Sequence, residues 1–401
     1  TTPYLKKLFQ ISEEPPPSLL QSIREAGKTN RDIEKKMEEY CPYMQEMTAE
    51  ALRIFEKASL NMAWYNRLVE NREVIAEQLD AMAYIMEDCA KKQKNITEEC
   101  RSNLQDIAYR ARERGIKVID EQLWEKENGR WQLVMKVMVK DGCVTTRELT
   151  KAVAGALNRR MIPEKDTKTL IGKGVNLYTY EEEPRFQAIY GVARMVKDGA
   201  AVSGDNFSFL EPESGKMVMC LSDGMGSGSL ACKESEMVIE LVEKFLEAGF
   251  DVETAARMMN SAMVMKGQED LFSTVDISEL DLYDGTCRFY KIGAAATFIR
   301  RNGIVECLIS TSLPVGVSYK LDMEKSEKDL YNGDFLVMVS DGVLEYLHVP
   351  NPEETMQEII ESIETNNATI LAKRILERVL LFTGGKAADD MTVLATAIWE
   401  K

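Results

Sequence analysis

Two segments of the chain nearly repeat each other, and both end in the tripeptide Ser-Asp-Gly. Residues 218–224 read Val-Met-Cys-Leu-Ser-Asp-Gly, and residues 336–342 read Leu-Val-Met-Val-Ser-Asp-Gly. Apolar runs of this length predict strands that are buried on both faces of a sheet. Each aspartate then reaches the edge of the sheet, and the glycine after it leaves room for a close approach of other groups. The chain is therefore expected to fold around a sheet whose strand ends present carboxylates.

Two more acidic positions lie beside predicted strands. Asp205 precedes the run Phe-Ser-Phe-Leu, and Asp389-Asp390 come just before the last predicted strand, residues 392–398. A single Asp-Gly is usually only a turn, but four carboxylate positions at strand ends would repel one another without a cation between them. Oxygen ligands with no imidazole or thiolate nearby favour Mg²⁺ or Mn²⁺. Two such ions can activate a water and orient a phosphoryl group, so the pattern indicates metal-assisted phosphoryl chemistry.

Composition excludes several other functions. The 401 residues include 50 Lys and Arg against 66 Asp and Glu, a net charge of −16, so nucleic acid is not an expected partner. The single histidine, His348, excludes zinc sites built from several imidazoles, and we interpret it as a loop residue without a catalytic role. The eight cysteines form no Cys-x-x-Cys pair, which favours free thiols in a reducing compartment.

The pattern of apolar residues divides the chain into three regions. Residues 1–97 are expected to form a helical regulatory region, because Leu68, Ile75, Met82 and Cys89 recur every seven residues as in a coiled coil. This helix either packs on its own domain or pairs with a second copy. Residues 98–183 are expected to form a small α+β connector module, and residues 184–401 a layered α/β (α+β) sandwich. No run of about 18 apolar residues predicts a membrane span.

Six motifs together resemble the metal-dependent serine/threonine protein phosphatases of the 2C class, and most closely their stage II sporulation protein E branch. In chain order they are Ser-Gly-Asp at 203–205, Ser-Asp-Gly-Met-Gly-Ser-Gly at 222–228, Ser-Thr-Val-Asp at 273–276, Leu-Pro-Val-Gly at 313–316, Ser-Asp-Gly at 340–342 and Asp-Asp-Met-Thr at 389–392. The resemblance covers residues 185–401 and implies the layered sandwich of that class. The segment 71–79 and the connector also look like the part of that family upstream of the phosphatase.

The resemblance implies a role for each acidic position. Asp223 would bridge two Mn²⁺ or Mg²⁺ ions, and the backbone carbonyl of Gly224 would bind one of them. Asp341 and Asp389 would bind the other ion. Asp205 would bind or orient a metal-bound water, so Asp205 and Asp223 are the expected catalytic residues. The water would attack a phosphoserine or phosphothreonine directly, without a covalent enzyme intermediate.

The resemblance also implies a biological role. The substrate would be a phosphorylated anti-anti-sigma factor, whose dephosphorylation activates a sporulation sigma factor. The helical region would regulate activity, acting on predicted helices at residues 230–247 and 252–265, and could form a homodimer or higher oligomer. This chain itself would not contact a membrane, whereas the intact protein would be anchored at the cytoplasmic face by segments outside it. Eukaryotic members grip phosphate with an arginine, for which Arg185 and Arg194 are candidates by position.

Two other functions remain open at this point. One is a regulatory scaffold with weak or no phosphatase activity, although a pseudo-enzyme would be free to lose any of these acids. The other is a two-metal phosphohydrolase that acts on nucleotides or small phosphoesters.

Overall fold

The structure is a computed structural model that describes residue 83 and residues 93–401, except 127–128, 165–166, 212–214, 227, 266–271, 319, 383 and 388. The predicted heptad helix lies outside the described residues. From residue 93 onward the described residues belong to one compact unit, Ala76–Lys401. None of the helices described is long and apolar enough to cross a membrane.

The first part of this unit is an antiparallel five-stranded sheet with two helices packed on it, in the strand order β1-β2-β3-β7-β5. Its elements are β1 Gln93–Asn95, α1 Arg101–Glu113, β2 Ile116–Lys126, β3 Trp131–Val139, β4 Val144–Thr145, α2 Thr146–Leu157, β5 Met161–Pro163, β6 Leu170–Ile171 and β7 Asn176–Glu182. Strands β4 and β6 pair separately. Strand β3 alternates buried and partly exposed residues along its second half, and α2 begins directly after Thr145.

Two further five-stranded antiparallel sheets follow. The first has the order β15-β12-β11-β10-β9, and the second has the order β14-β13-β16-β17-β8. Their strands are β8 Phe186–Met195, β9 Asp205–Leu210, β10 Lys216–Gly224, β11 Ser273–Asp281, β12 Thr286–Ile292, β13 Thr297–Arg301, β14 Ile304–Leu308, β15 Glu324–Asp329, β16 Phe335–Val339 and β17 Met391–Glu400.

The two sheets stack face to face, with helices on their outer faces. The inner faces share a core that includes Leu221 and Phe289 of the first sheet and Met338 and Leu394 of the second. The helices are α3 Ser229–Glu247, α4 Val252–Met265, α5 Asp341–Glu345, α6 Pro352–Glu361 and α7 Ala368–Phe382. Helices α3 and α4 cover the first sheet, and α6 and α7 cover the second. The predicted layered α/β sandwich is confirmed, with α5 and α6 as helices that the sequence analysis did not predict.

Candidate active site

The first Ser-Asp-Gly lies at the end of the buried strand β10, beside a second acid. Asp223 is the register partner of Asp205 at the start of the antiparallel strand β9. The amide of Gly224 donates a 3.3 Å hydrogen bond to the carbonyl of Gly204. Residues 18 positions apart in sequence thus bring two carboxyl groups to one edge of the first sheet, because an antiparallel ladder places partner side chains on the same face.

These carboxyl groups are strongly perturbed by their surroundings. Desolvation is the largest cause of a raised pKa at Asp223, and together with the neighbouring carboxyls of Asp341 and Asp205 it brings that pKa to about 11. Burial also raises the pKa of Asp205, partly offset by the nearby hydroxyls of Thr392 and Ser340. Both carboxylate oxygens of Asp205 are buried, and neither makes a hydrogen bond within the described part of the chain. Three acids from two different sheets therefore meet in a place that penalises their negative charge.

The second Ser-Asp-Gly presents its acid differently. Asp341 is the first residue of helix α5, directly after β16, and it is exposed. Glu345 follows one helical turn later, and its pKa is raised by burial and by Asp341 and Asp389. The sequence analysis did not propose Glu345, although its spacing of four residues from Asp341 is the signal that could have found it.

Asp389 and Asp390 have separate surroundings. Asp390 is 5% exposed and accepts hydrogen bonds from the amides of Lys197, at 2.9 Å, and Gly204, at 2.7 Å. It therefore fixes the segment that leads into Asp205. The Asp389 side chain is about one-third exposed, and its Oδ1 lies 3.5 Å from the Nζ of Lys197. Of the two adjacent acids, Asp389 is thus the one that can reach an ion or a substrate.

The glycines of both tripeptides allow backbone to approach closely. A Cβ on Gly224 would lie 2.2 Å from the carbonyl oxygen of Ala231, and a Cβ on Gly342 would lie 2.2 Å from that of Asp390. No side chain fits at such distances without movement of the backbone. The prediction that these glycines leave room for a close approach is confirmed.

The serines of both tripeptides also make buried hydrogen bonds. The Oγ atoms of Ser222 and Ser273 are 2.8 Å apart, and Ser273 also donates to the carbonyl of Asp223 at 2.7 Å. The Oγ of Ser340 accepts the amide of Thr392 at 2.9 Å. Each serine therefore attaches its strand end to the neighbouring strand.

Two observations test whether these acids fit a divalent cation. In the described part of the chain, no three carboxylate, thiolate or imidazole side chains form a ready-made group for one ion. The buried oxygens of Asp205 without hydrogen bonds and the raised pKa of Asp223 are nevertheless what an oxygen-only cation would relieve. Mg²⁺ and Mn²⁺ prefer such a donor set, so the residues fit these ions.

The two arginines considered as phosphate ligands and the single histidine lie in different parts of the structure. The guanidinium of Arg194 donates to the carbonyl of Asp205. Arg185 pairs with Glu400 at 3.0 Å, at the opposite end of the β8–β17 ladder from Asp389, so it is not a neighbour of the acids. His348 is exposed in the turn after α5, and its ring packs edge-on against Tyr346.

Comparisons with known proteins agree with this geometry. A family model described as stage II sporulation protein E (SpoIIE) matches residues 213–398, and a model of the SpoIIE regulatory domain matches residues 16–159. Stage II sporulation protein E of Bacillus subtilis (strain 168) is 26% identical over 381 residues, which is 95% of this chain and 46% of that protein. The same protein of Priestia megaterium is 28% identical over 337 residues, covering 83% of this chain and 57% of that protein. The chain thus spans about half the length of the curated relatives it matches.

A solved structure extends the likeness to the fold. The PP2C phosphatase domain and a fragment of the regulatory domain of the cell fate determinant SpoIIE from Bacillus subtilis superposes with a TM-score of 0.60 at 27% identity. The match covers 84% of this chain and 98% of that one. The described region therefore has the fold of a 2C-class phosphatase. The chain is similar to stage II sporulation protein E in both its regulatory part, residues 16–159, and its phosphatase part, residues 213–398.

Proposed function

We propose that this chain is a metal-dependent phosphoserine and phosphothreonine protein phosphatase. The observation that carries the proposal is the half-buried carboxyl of Asp223, which lies beside the fully buried Asp205 and the carboxyl of Asp341 at the ends of strands from two sheets. Such a cluster is costly unless cations bind to it. Similarity to a phosphatase family supports the same reaction.

Different residues of the chain would hold the metal ions and orient the attacking water. Asp223, Asp341, Asp389 and the carbonyl of Gly224 would hold two Mn²⁺ or Mg²⁺ ions. When bound, such ions lower the pKa of a water and balance the charge of the phosphoryl oxygens. Asp205 has two buried oxygens free of hydrogen bonds within the described residues, together with a raised pKa. It is therefore suited to orient the attacking water and accept its proton.

Lys197 is placed to contact the phosphate of the substrate. Its amide is fixed by Asp390, and its side chain is about one-third exposed beside Asp389. The ammonium group is therefore accessible from solvent beside Asp389, where it could meet the dianionic phosphate of a phosphoserine. A lysine can bind phosphate as a point charge.

The substrate and partners follow from the family. We propose that the substrate is a phosphorylated anti-anti-sigma factor and that its dephosphorylation activates a sporulation sigma factor. We further propose that the upstream helical region regulates activity and forms a homodimer or higher oligomer. The intact protein would be anchored at the cytoplasmic face of a membrane by segments outside this chain.

One contact supports regulation from upstream. Arg130, at the start of β3, makes two hydrogen bonds with the carboxylate of Asp281 at the end of β11, at 3.1 and 2.9 Å. Its guanidinium also lies over the ring of Tyr283, 3.6 Å from the centroid. Strand β11 runs from this contact to Ser273, which hydrogen-bonds the backbone of Asp223. A movement of the connector therefore has a direct route to the site.

The test is Mn²⁺-dependent phosphate release from a phosphoserine protein and from a small aryl phosphate. Wild type is compared with Asp223→Asn and with Asp141→Asn, a matched control because Asp141 is also followed by glycine but its side chain is 93% exposed. We expect release with wild type and Asp141→Asn, and release reduced about 1,000-fold with Asp223→Asn. A preference for the phosphoprotein would distinguish a protein phosphatase from a small-molecule phosphohydrolase. No metal-dependent release from either substrate would favour the scaffold.

A further inference from the structure

A buried polar cluster lies between the two sheets of the sandwich and has no part in the reaction described above. The Nζ of Lys291, on β12, is 2.6 Å from the Oδ2 of Asp276, on β11, and 2.6 Å from the carbonyl of Ala295. The hydroxyl of Thr297, on β13, donates to the same Oδ2 at 2.5 Å. The Asp276 and Lys291 side chains are only 3% and 4% exposed. Because β13 belongs to the second sheet, the Thr297–Asp276 hydrogen bond joins the two sheets.

The position of this bond is the notable feature. Asp276 is the register partner of Leu221, two residues before Asp223 on β10. Thr297 is the register partner of Met338, three residues before Asp341 on the chain that leaves β16. The hydrogen bond therefore joins β11 to β13. These strands pair with β10 and β16, the two strands that lead to Asp223 and Asp341, and the bond lies close to the ends of β10 and β16. Any change in the separation of the sheets there changes the separation of Asp223 and Asp341.

Stability alone does not account for the cluster. A buried ion pair loses much of its Coulombic gain to desolvation, and apolar residues of similar volume commonly serve as well. Moreover, the Oδ1 of Asp276 is buried without a hydrogen-bond partner among the described residues. An apolar contact between sheets can slide, whereas a hydrogen bond between a hydroxyl and a carboxylate has a defined length and direction.

We propose that Asp276, Lys291 and Thr297 form a positioning device that sets the distance between the acids of the two sheets, and thereby the affinity for the divalent cation. The ion pair with Lys291 orients the carboxylate of Asp276, and Thr297 transmits that orientation to the second sheet. The proposal rests on the metal site of the proposed function. Asp276, Lys291 and Thr297 are positioning residues, since none of them is among the residues proposed to contact the substrate or the ions.

The test is the Mn²⁺ affinity of the full chain measured by titration calorimetry, without substrate. Thr297→Val removes the cross-sheet hydrogen bond at nearly constant volume. The matched control is Thr396→Val, because Thr396 is equally buried and its hydroxyl also crosses between the sheets, to the sulfur of Met219 at 3.1 Å. Met219 is four residues from Asp223. We expect the dissociation constant for Mn²⁺ to rise about tenfold in Thr297→Val and to change less than about twofold in the control.

A second pair of variants isolates the hydroxyl. Thr297→Ser keeps the hydroxyl, Thr297→Ala removes it, and both variants lack the methyl group of threonine. The pair therefore tests the effect of the hydroxyl on Mn²⁺ affinity even if Thr297→Val does not fold. We expect near-normal Mn²⁺ affinity for Ser and weakened affinity for Ala. Equal affinities in Thr297→Val and Thr396→Val, or in the Ser and Ala variants, would overturn the proposal and leave the proposed function intact. Failure of wild type to bind Mn²⁺ would instead remove the metal site itself.

Discussion

The two Ser-Asp-Gly tripeptides have the same sequence and both follow buried strands, but their aspartates are in different environments. Asp223 is half-buried at the end of β10, where its pKa is raised to about 11 by desolvation and by two neighbouring acids. Asp341 is exposed and begins helix α5. The difference arises after the glycine. Gly224 stays in the strand and is covered by the first turn of α3, whereas Gly342 is already inside α5.

One motif can thus supply two kinds of acid. A half-buried carboxyl with a raised pKa gains most from a cation, because the cation replaces a proton that would otherwise remain there. An exposed carboxyl at a helix start remains accessible to ligands from solvent. The site thus combines an inner acid, Asp223, with an outer acid, Asp341.

The largest expected effect is on activity. Asp223→Asn removes the acid that contacts both of the others, whereas Asp341→Asn removes an outer one. We expect Mn²⁺-dependent phosphate release to fall about 1,000-fold in Asp223→Asn and about 100-fold in Asp341→Asn, the range typical of losing one strong electrostatic contact. Initial rates at saturating Mn²⁺ measure both. A larger loss in Asp341→Asn would reverse the assignment of inner and outer acid.

The glycines should be equally intolerant of a side chain. Gly224→Ala and Gly342→Ala each place a Cβ 2.2 Å from a carbonyl oxygen. We expect the free energy of unfolding to fall by about 1–3 kcal/mol in each, as for other overpacked sites. Urea denaturation of the metal-free protein measures it. Gly174→Ala is the control, because nothing lies within 4 Å of its added Cβ, and its effect should stay within about 0.5 kcal/mol. Unchanged stability in Gly342→Ala would contradict the packing described.

The inner acid should make the metal-free protein less stable as pH rises. Below about pH 4 Asp223 is protonated in both the folded and the unfolded chain. Above that pH the unfolded chain ionises it, while the folded chain keeps the proton up to a pKa of about 11, so stability falls with pH. In EDTA, the Tm of Asp223→Asn should therefore exceed that of wild type by a few degrees at pH 8 and by less at pH 5.

The same experiment connects the two acids. Because Asp341 helps to raise the pKa of Asp223, Asp341→Asn should partly flatten the dependence of Tm on pH. Asp141→Asn, at a solvated turn, should follow wild type. A Tm difference between Asp223→Asn and wild type that is constant with pH would show that Asp223 does not titrate in this way.

The smallest expected difference concerns the serines. Ser340→Ala leaves the buried amide of Thr392 without its partner, which costs about 1–3 kcal/mol. Ser222→Ala leaves Ser273 still donating to the carbonyl of Asp223, so we expect about 0.5–1 kcal/mol. Urea denaturation of both variants gives the comparison. Equal losses would indicate that the Ser222–Ser273 contact contributes as much as the amide bond.

Sequence patterns were sufficient to predict many of the strands and helices of residues 184–401. Buried strands are recognised from short apolar runs, so the ends of β10 and β16 and the acids after them were predictable. The helix at Val252–Met265 was predicted with its observed bounds, and the last strand was predicted within its observed bounds. Glu345 was not predicted from these patterns, and Arg185, a candidate phosphate ligand by position, pairs instead with Glu400 at the far end of its strand.

The buried strands and the carboxylates at their ends could be predicted from local patterns, because side-chain hydrophobicity and turn preferences act over a few residues. The exposure of each acid, half-buried for Asp223 and exposed for Asp341, depended instead on contacts between distant segments. The tertiary structure also brought the amide of Gly204 to Asp390, 186 residues away, and the hydroxyl of Thr297 to Asp276 in the other sheet. Burial and pKa depend on how two sheets stack, and stacking is the sum of many contacts between distant residues that no local pattern specifies.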